Sequence, residues 1–307
     1  VYQPRRRVAQ VSWRSDIPGP KTYDIVRCRQ CDIVAADPMP DGDVLASYYA
    51  RYEPTVVDDF RDRKLVELQA GLWAYLTSHL PPGRVPKVLD YGFGAGAFLK
   101  YVAGTGGAIY GVDFGAQNIH QLSRWCAQHD VPIRLLDVGA RPLSALGRER
   151  INLITLFQVV EHLVDPVATI RSLAALQDPS GLLYIECPHQ DAWFFRAKNC
   201  CRRLISREFM YGSVSPPQHV LGFNRRSLRV LLERCRYRVL EIGDYCVADG
   251  VHAPETVDWY PTLREWLSSP RKRTALGLGK TVIRWIDVPL SRFFGLGGGL
   301  FALAERA

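Results

Sequence analysis

Asp90-Tyr91-Gly92-Phe93-Gly94-Ala95-Gly96 is flanked by a short apolar run, Lys87 to Asp90, and by a helix-forming stretch, Ala97 to Val102. The run before it has the length of a buried strand, so the three glycines fall in a strand-to-helix turn. Glycine suits such a turn for two reasons. It tolerates positive φ, and without a Cβ it lets a ligand approach the main chain. Read with Ala97, the stretch also satisfies the looser glycine fingerprint of dinucleotide-binding folds. It therefore indicates the fold class before it indicates the ligand.

Working outward, strands and helices alternate. Ala108 to Asp113 reads as a second strand and Gln117 to Gln128 as its helix. Pro132 to Asp137 and Asn152 to Phe157 are the next strands, and a helix runs from Pro166 to Leu176 with Asp165 as its cap. Gly181 to Glu186 is a fifth strand. This rhythm predicts a Rossmann-like, doubly wound α/β sheet with helices on both faces. Upstream, Leu65, Leu68, Leu72, Leu76 and Leu80 share one face of a helix from near Asp59 to Leu80, ended by Pro81-Pro82-Gly83.

The flanks are less regular. Residues 1–57 read as an irregular amino-terminal arm with short strand-like pieces such as Tyr23 to Val26, a candidate degenerate zinc-knuckle module, and 58–188 as the core. Residues 189–226 form an insert rich in aromatics and arginine, expected to act as a substrate lid. Residues 227–307 complete the sheet, with a helix at Ser227 to Cys235, a strand at Tyr237 to Ile242 and a terminal strand at Leu300 to Ala304. Within them, 243–297 reads as a second, helical insert, with helical stretches near Thr262 to Leu267 and Leu276 to Ile286.

Composition narrows the classes. The 307 residues are 47% hydrophobic and 23% charged, an ordinary globular balance. No apolar run reaches the ~18 residues of a membrane span. Arg5, Arg6 and Arg7 lead into no apolar stretch, so no signal peptide is expected. The 8 cysteines form no regular framework and read as reduced thiols of a cytoplasmic protein, with Cys126, Cys187 and Cys235 inside apolar patterns. The net charge of +8, dense around Arg196 to Arg207 and Arg271 to Arg273, reads as a solvated basic face or as a counterpart to an anionic small substrate. No nucleic-acid partner is expected. The oligomeric state stays open between monomer and homodimer, and the amphipathic, arginine-containing stretch Leu276 to Phe294 reads as a packed lid helix or as a contact for a partner subunit or a membrane surface.

Charge also separates ligands at the glycine turn. A dinucleotide places a pyrophosphate on the helix N-terminus, which would crowd the Asp90 carboxylate. S-adenosylmethionine has no phosphate, and its sulfonium and ammonium favour an acid. No Tyr-x-x-x-Lys pair of nicotinamide enzymes accompanies the turn. Asp113 ends the second strand at the position where an acid chelates ribose hydroxyls, and Asp137 ends the third. Glu161 and His162 follow the fourth strand, at the rim of the crevice where ligands of doubly wound sheets bind.

In combination, Gly92, Gly94, Gly96, Asp113 and Glu161-His162-Leu163 before Asp165-Pro166 resemble a class I S-adenosylmethionine-dependent methyltransferase over roughly residues 60–245. The resemblance implies a seven-stranded sheet with its last strand antiparallel, and S-adenosylmethionine as cofactor. It implies that the glycines cradle the methionine part, Asp113 holds the ribose, Asp137 approaches the adenine and Gln158 lines the methionine end. Relatives in ubiquinone biosynthesis carry a glutamate at the position of Gln158 in a motif associated with a metal. A neutral amide weakens a hard-cation site, so no metal is expected.

Pro216-Pro217-Gln218-His219-Val220 resembles a segment of small-molecule members in which a histidine faces the acceptor. His219 is therefore the first candidate general base and His189 the second, with Trp193 and Tyr211 as pocket walls. Cys28-Arg29-Gln30-Cys31 is half of a zinc knuckle, and no cysteine precedes it. The expected acceptor is a small molecule, a hydroxyl of a sugar or natural-product intermediate, with carbon second. An RNA methyltransferase, a non-catalytic cofactor-binding scaffold and, more weakly, a nicotinamide oxidoreductase are the rivals.

Overall fold

The computed structural model describes residues 5–12, 19–49, 63–83, 85–139, 142–147, 149–200, 210–245, 282, 285–286 and 293–307. In chain order the strands are β1 (Arg5–Ser12), β2 (Thr22–Cys28), β3 (Val34–Asp37), β4 (Val88–Tyr91), β5 (Ile109–Asp113), β6 (Ile133–Asp137), β7 (Ile151–Phe157), β8 (Gln177–Pro188), β9 (Leu221–Gly222), β10 (Tyr237–Tyr245) and β11 (Gly299–Arg306). The helices are α1 (Gly42–Tyr49), α2 (Arg63–Ser78), α3 (Ala97–Ala103), α4 (Ala116–His129), α5 (Pro166–Leu176), α6 (Trp193–Cys200) and α7 (Arg225–Arg234).

Seven strands form one sheet in the order β10-β11-β8-β7-β4-β5-β6. β8, β7, β4, β5 and β6 run parallel, and β11 is antiparallel to both β8 and β10. The last strand of the chain thus slots between two earlier ones. Side chains alternate across this sheet, as strand geometry requires. Val88, Leu153, Leu182, Tyr184 and Leu303 face Leu72 and Leu76 of α2, Phe98, Leu99 and Val102 of α3, and Leu122 of α4. Leu89, Ile154, Leu183, Ile185 and Ala302 face Ile170 and Leu173 of α5 and Leu228 and Leu232 of α7. Helices on both faces bury the sheet, and each fully buried leucine contributes about 1.5–3 kcal/mol.

Local chemistry sets the helix ends. Asp165 accepts from the Ala168 amide at 3.0 Å, with Pro166 in the first turn of α5. α7 begins two residues before its expected start, because Asn224 is the cap and Ser227 completes a capping box with it. β8 is longer than the expected Gly181 to Glu186, starting directly where α5 ends.

The strand-like piece expected at Tyr23 to Val26 falls within β2, and the amino-terminal residues form more regular structure than the rest of that arm suggested. β1, β2, β3 and β9 form an antiparallel sheet in that order. β2 and β3 alternate like any sandwiched strand. Tyr23, Ile25, Val34 and Ala36 pack with Val11 and Val214, while Val26, Cys28 and Ala35 join the main core. The signal is masked in β1, an exposed edge rich in arginine, where Arg5 pairs with Asp37 at 3.1 Å and Arg7 with Asp24 at 3.4 Å. Because β9 comes from the 189–226 insert, arm and insert share one sheet. Val282, Trp285 and Ile286 are helical and exposed. The helix expected near Thr262 to Leu267, the arginines 271–273 and the basic run 201–207 lie outside the described residues. No helix among the described residues is long and apolar enough to cross a membrane.

Candidate functional site

The parallel strands β4, β5, β6 and β7 end along one edge of the sheet, and the loops after them gather there. Gly92 and Gly94 both have positive φ, 78° and 53°. A Cβ on Gly92 would stand 2.5 Å from Val159, so the glycine lets the turn close on the loop after β7. A Cβ on Gly94 would meet nothing within 4 Å, so this backbone borders open space. Gly96 caps α3 and sits against Leu122.

Asp113 is tied to this turn. Its Oδ2 accepts from the Gly94 amide at 2.9 Å, and its Oδ1 accepts from Gly115 N at 2.7 Å and from Asn118 Nδ2 at 3.1 Å. The side chain is buried, 6% of the residue remaining exposed. Burial raises its pKa, and the surrounding amides oppose that rise. Asp137 stands directly across from Asp113 in the β5–β6 register and accepts from Gly139 N at 2.9 Å. Phe114, which sequence reasoning missed, is 55% exposed beside Asp113 and meets Tyr91 edge-on at 6.1 Å. Its signal was an aromatic placed directly after the strand-end acid. Burial and then the Asp113 charge push the Tyr91 phenol up to about 12.

Asp90 lies deeper than expected. It is buried, and its Oδ1 accepts from Thr155 Oγ1 at 2.8 Å, which places it beneath the turn. Gln158, directly after β7, has a φ of 54°, a conformation uncommon for a non-glycine residue. Its amide donates to Glu186 O at 2.9 Å, and its Nε2 donates to the Tyr245 hydroxyl at 3.2 Å. Glu186 is a second residue missed. It is a buried acid inside an apolar strand, and Tyr184 donates to its Oε1 at 2.6 Å and Tyr245 to its Oε2 at 3.5 Å. Burial first, then this carboxylate, holds both phenols well above their ordinary range.

Three further expected residues converge. Glu161 and His162 lie on the short 3₁₀ turn Val160–His162 after β7. The Val220 amide donates to Glu161 O at 2.9 Å and so draws the 213–220 segment against that turn. This brings the His219 ring to 4.6 Å from the His162 ring, at 88°. His162 Nδ1 lies 2.9 Å from Gln218 O and 3.0 Å from the Tyr49 hydroxyl, and His219 Nδ1 lies 3.1 Å from Ser213 O. Burial lowers the pKa of both, and that of His162, beside His219, falls to about 3.

The other candidates go elsewhere. His189 is buried after β8, its Nδ1 3.0 Å from Gly297 O, and burial lowers its pKa. Trp193 starts α6, its amide donating to Leu296 O at 3.1 Å. Tyr211 packs against the amino-terminal sheet's own apolar cluster, which includes Tyr23, Ile25 and Val34. Cys28 and Cys31 are buried in the main core. Burial opposes ionisation of both thiols, but amide and thiol hydrogen bonds lower the pKa of Cys28 while that of Cys31 rises.

Residues 49–242 match the methyltransferase domain family. A ubiquinone biosynthesis O-methyltransferase from Parvibaculum lavamentivorans is 32% identical over 99 residues, covering 32% of this chain and 39% of that protein. One from Bartonella tribocorum is 31% identical over 111 residues, covering 36% of this chain and 44% of that protein. The chain thus spans less than half the length of these curated relatives. A magnesium protoporphyrin IX methyltransferase from Synechocystis, solved with bound SAH, aligns over 81% of this chain and 88% of its own at 14% identity, with a TM-score of 0.47.

Proposed function

The chain belongs to the class I S-adenosylmethionine-dependent methyltransferases, and from that premise we propose that it methylates an oxygen of a small hydroxylated molecule, a sugar or natural-product intermediate. Its cofactor is S-adenosylmethionine, which supplies an activated methyl group when bound. One observation carries the reading. Asp113 grips the Gly94 amide at 2.9 Å while the other side of Gly94 borders open space. That is a backbone cradle with a carboxylate at its edge, and it suits a cationic nucleoside.

In this reading Gly92, Gly94 and Gly96 admit the methionine part, and Asp113 accepts from the ribose hydroxyls. Phe114 and Asp137 flank the adenine. Asp90, beneath the turn, adds negative potential without direct contact. Gln158, held by Tyr245, bounds the methionine end. Glu161, His162 and His219 face the acceptor, and aligning that acceptor supplies much of the rate. His189 supports the glycine run 297–299 through Gly297 and is a positioning residue.

Incubation with S-adenosylmethionine carrying a labelled methyl group and a panel of hydroxylated small molecules tests this. We expect label in an O-methyl ether of at least one acceptor class. Tight cofactor binding with no labelled product across the panel would instead favour a scaffold. The charge of +8 keeps an RNA acceptor in view. Steeply salt-dependent RNA binding would support it.

A further inference from the structure

We propose that Glu186 is a positioning residue of the cofactor site. Through the Tyr245 hydroxyl it decides which end of the Gln158 side-chain amide is offered to the ligand. It leaves the carbonyl end, Oε1, to accept from the ammonium in the amino-acid part of S-adenosylmethionine. The inference rests on the methyltransferase reading and adds the residues that orient Gln158.

A chain of donors sets the direction. The two ends of an amide have the same shape and differ in their hydrogens, so a partner must tell them apart. Glu186, on β8, is 1% exposed. Tyr184, two residues away on the same strand, donates to its Oε1 at 2.6 Å, and Tyr245 donates to its Oε2 at 3.5 Å. A phenol has one hydrogen. With that hydrogen committed to the carboxylate, the Tyr245 oxygen can only accept from Gln158. The amide must therefore present Nε2 to it, and this bond is 3.2 Å long. The Gln158 Oε1 is the opposite end. It accepts from none of the described residues, and Gln158 is only half-buried, whereas Glu186, Tyr184 and Tyr245 are buried.

The surroundings hold each link. The Gln158 main chain is fixed by its bond to Glu186 O at 2.9 Å, so the side-chain amide is the part left to orient. Val159, the next residue, lies against Gly92, which brings Gln158 beside the glycine turn. Tyr245 pairs with Gly299 across β10 and β11, and a Cβ on Gly299 would collide with the Tyr245 ring. The glycine thus makes room for the phenol. Burial, and then the Glu186 charge, keeps both phenols protonated, so the donor chain does not reverse near neutral pH. An acid in place of Gln158 would set a second carboxylate on the same phenol. The amide supplies an acceptor without that repulsion.

The test is calorimetry on the full chain with two probes. S-adenosylhomocysteine carries the amino-acid part, and methylthioadenosine carries the nucleoside without it. Tyr245→Phe deletes only the hydroxyl. It should weaken S-adenosylhomocysteine by about three- to tenfold, as expected for one hydrogen bond, and leave methylthioadenosine unchanged. Glu186→Gln keeps the shape, but its oxygen stays with Tyr184 and its NH2 group then faces Tyr245. That reverses the donor chain, so the selective loss should be at least as large. Gln158→Ala should show the same selectivity, and adding Tyr245→Phe to it should cost nothing further. Equal weakening of both probes, additive losses, or S-adenosylhomocysteine affinity unmoved by Tyr245→Phe overturns the proposal. Should a buried substitution fail to fold, Gln158→Ala decides by the presence or absence of the selective loss. If the unaltered chain binds both probes and the variants do not discriminate between them, the positioning role fails and the methyltransferase reading stands. If the unaltered chain binds neither, both fail.

Discussion

The two halves of the crevice are built in different ways. On the proposed cofactor side, Gly92, Gly94, Gly96, Asp113 and Asp137 lie within one continuous stretch, each at the end of a strand or in the turn after it. On the proposed acceptor side, Glu161 and His162 meet His219 because β9 joins the amino-terminal sheet and Val220 hooks onto the turn after β7. One half is a local motif carried by a parallel sheet. The other is assembled from segments far apart in the chain. The lesson is that a local motif exposes its ligand chemistry in sequence, whereas an assembled pocket exposes only its separate parts.

Substitutions should separate the halves. The largest effect is expected at Leu99, which packs α3 under the glycine turn and is fully buried. Leu99→Ala should cost about 2–5 kcal/mol in denaturant unfolding and weaken the cofactor side. A smaller loss would mean that the turn does not depend on its helix. Gly92→Ala comes next. Its positive φ and the closeness of Val159 predict a loss of about 1–3 kcal/mol, read in the same unfolding experiment and accompanied by weaker cofactor binding. This residue touches both halves, so it tests their seam.

His189 gives a pH-dependent probe outside both halves. Burial lowers its folded pKa below that of the unfolded chain, so below about pH 6.5 the unfolded state takes up a proton that the native state refuses. Stability should therefore fall as pH drops below that point, by up to about 1.4 kcal/mol per pH unit from this group. In His189→Gln the slope should flatten by one proton's worth, and an unchanged slope would mean that His189 titrates normally. The smallest effect is expected at the exposed Arg5–Asp37 pair of β1 and β3. Asp37→Asn should change stability by less than about 1 kcal/mol.

Legibility followed the same division. The parallel core was readable because its strands are apolar runs bounded by glycine, proline and acids, and its helix caps obey local rules, as Asp165 does. Of the amino-terminal sheet only the strand-like piece Tyr23 to Val26 within β2 was readable, because β1 hides its pairing under arginines and β9 is only two residues long. Glu186 was passed over because a single acid inside an apolar strand does not by itself announce a partner, and of its two phenols Tyr184 lies two residues away on β8 while Tyr245 comes from the distant β10. Tyr211 was assigned by its aromatic character alone, and packing sends it to the amino-terminal cluster. Glu161 and His162 were visible as a pair, but their meeting with His219 depends on tertiary structure.

The cradle between Gly94 and Asp113 is the central element of the proposed cofactor site. Isothermal titration of S-adenosylmethionine into the unaltered chain and into Asp113→Ala tests it most directly. Loss of a charge-assisted bond of about 1.5–3 kcal/mol predicts an affinity lower by about 10- to 100-fold in the variant. Equal affinity in the two proteins, with the variant folded, would contradict it.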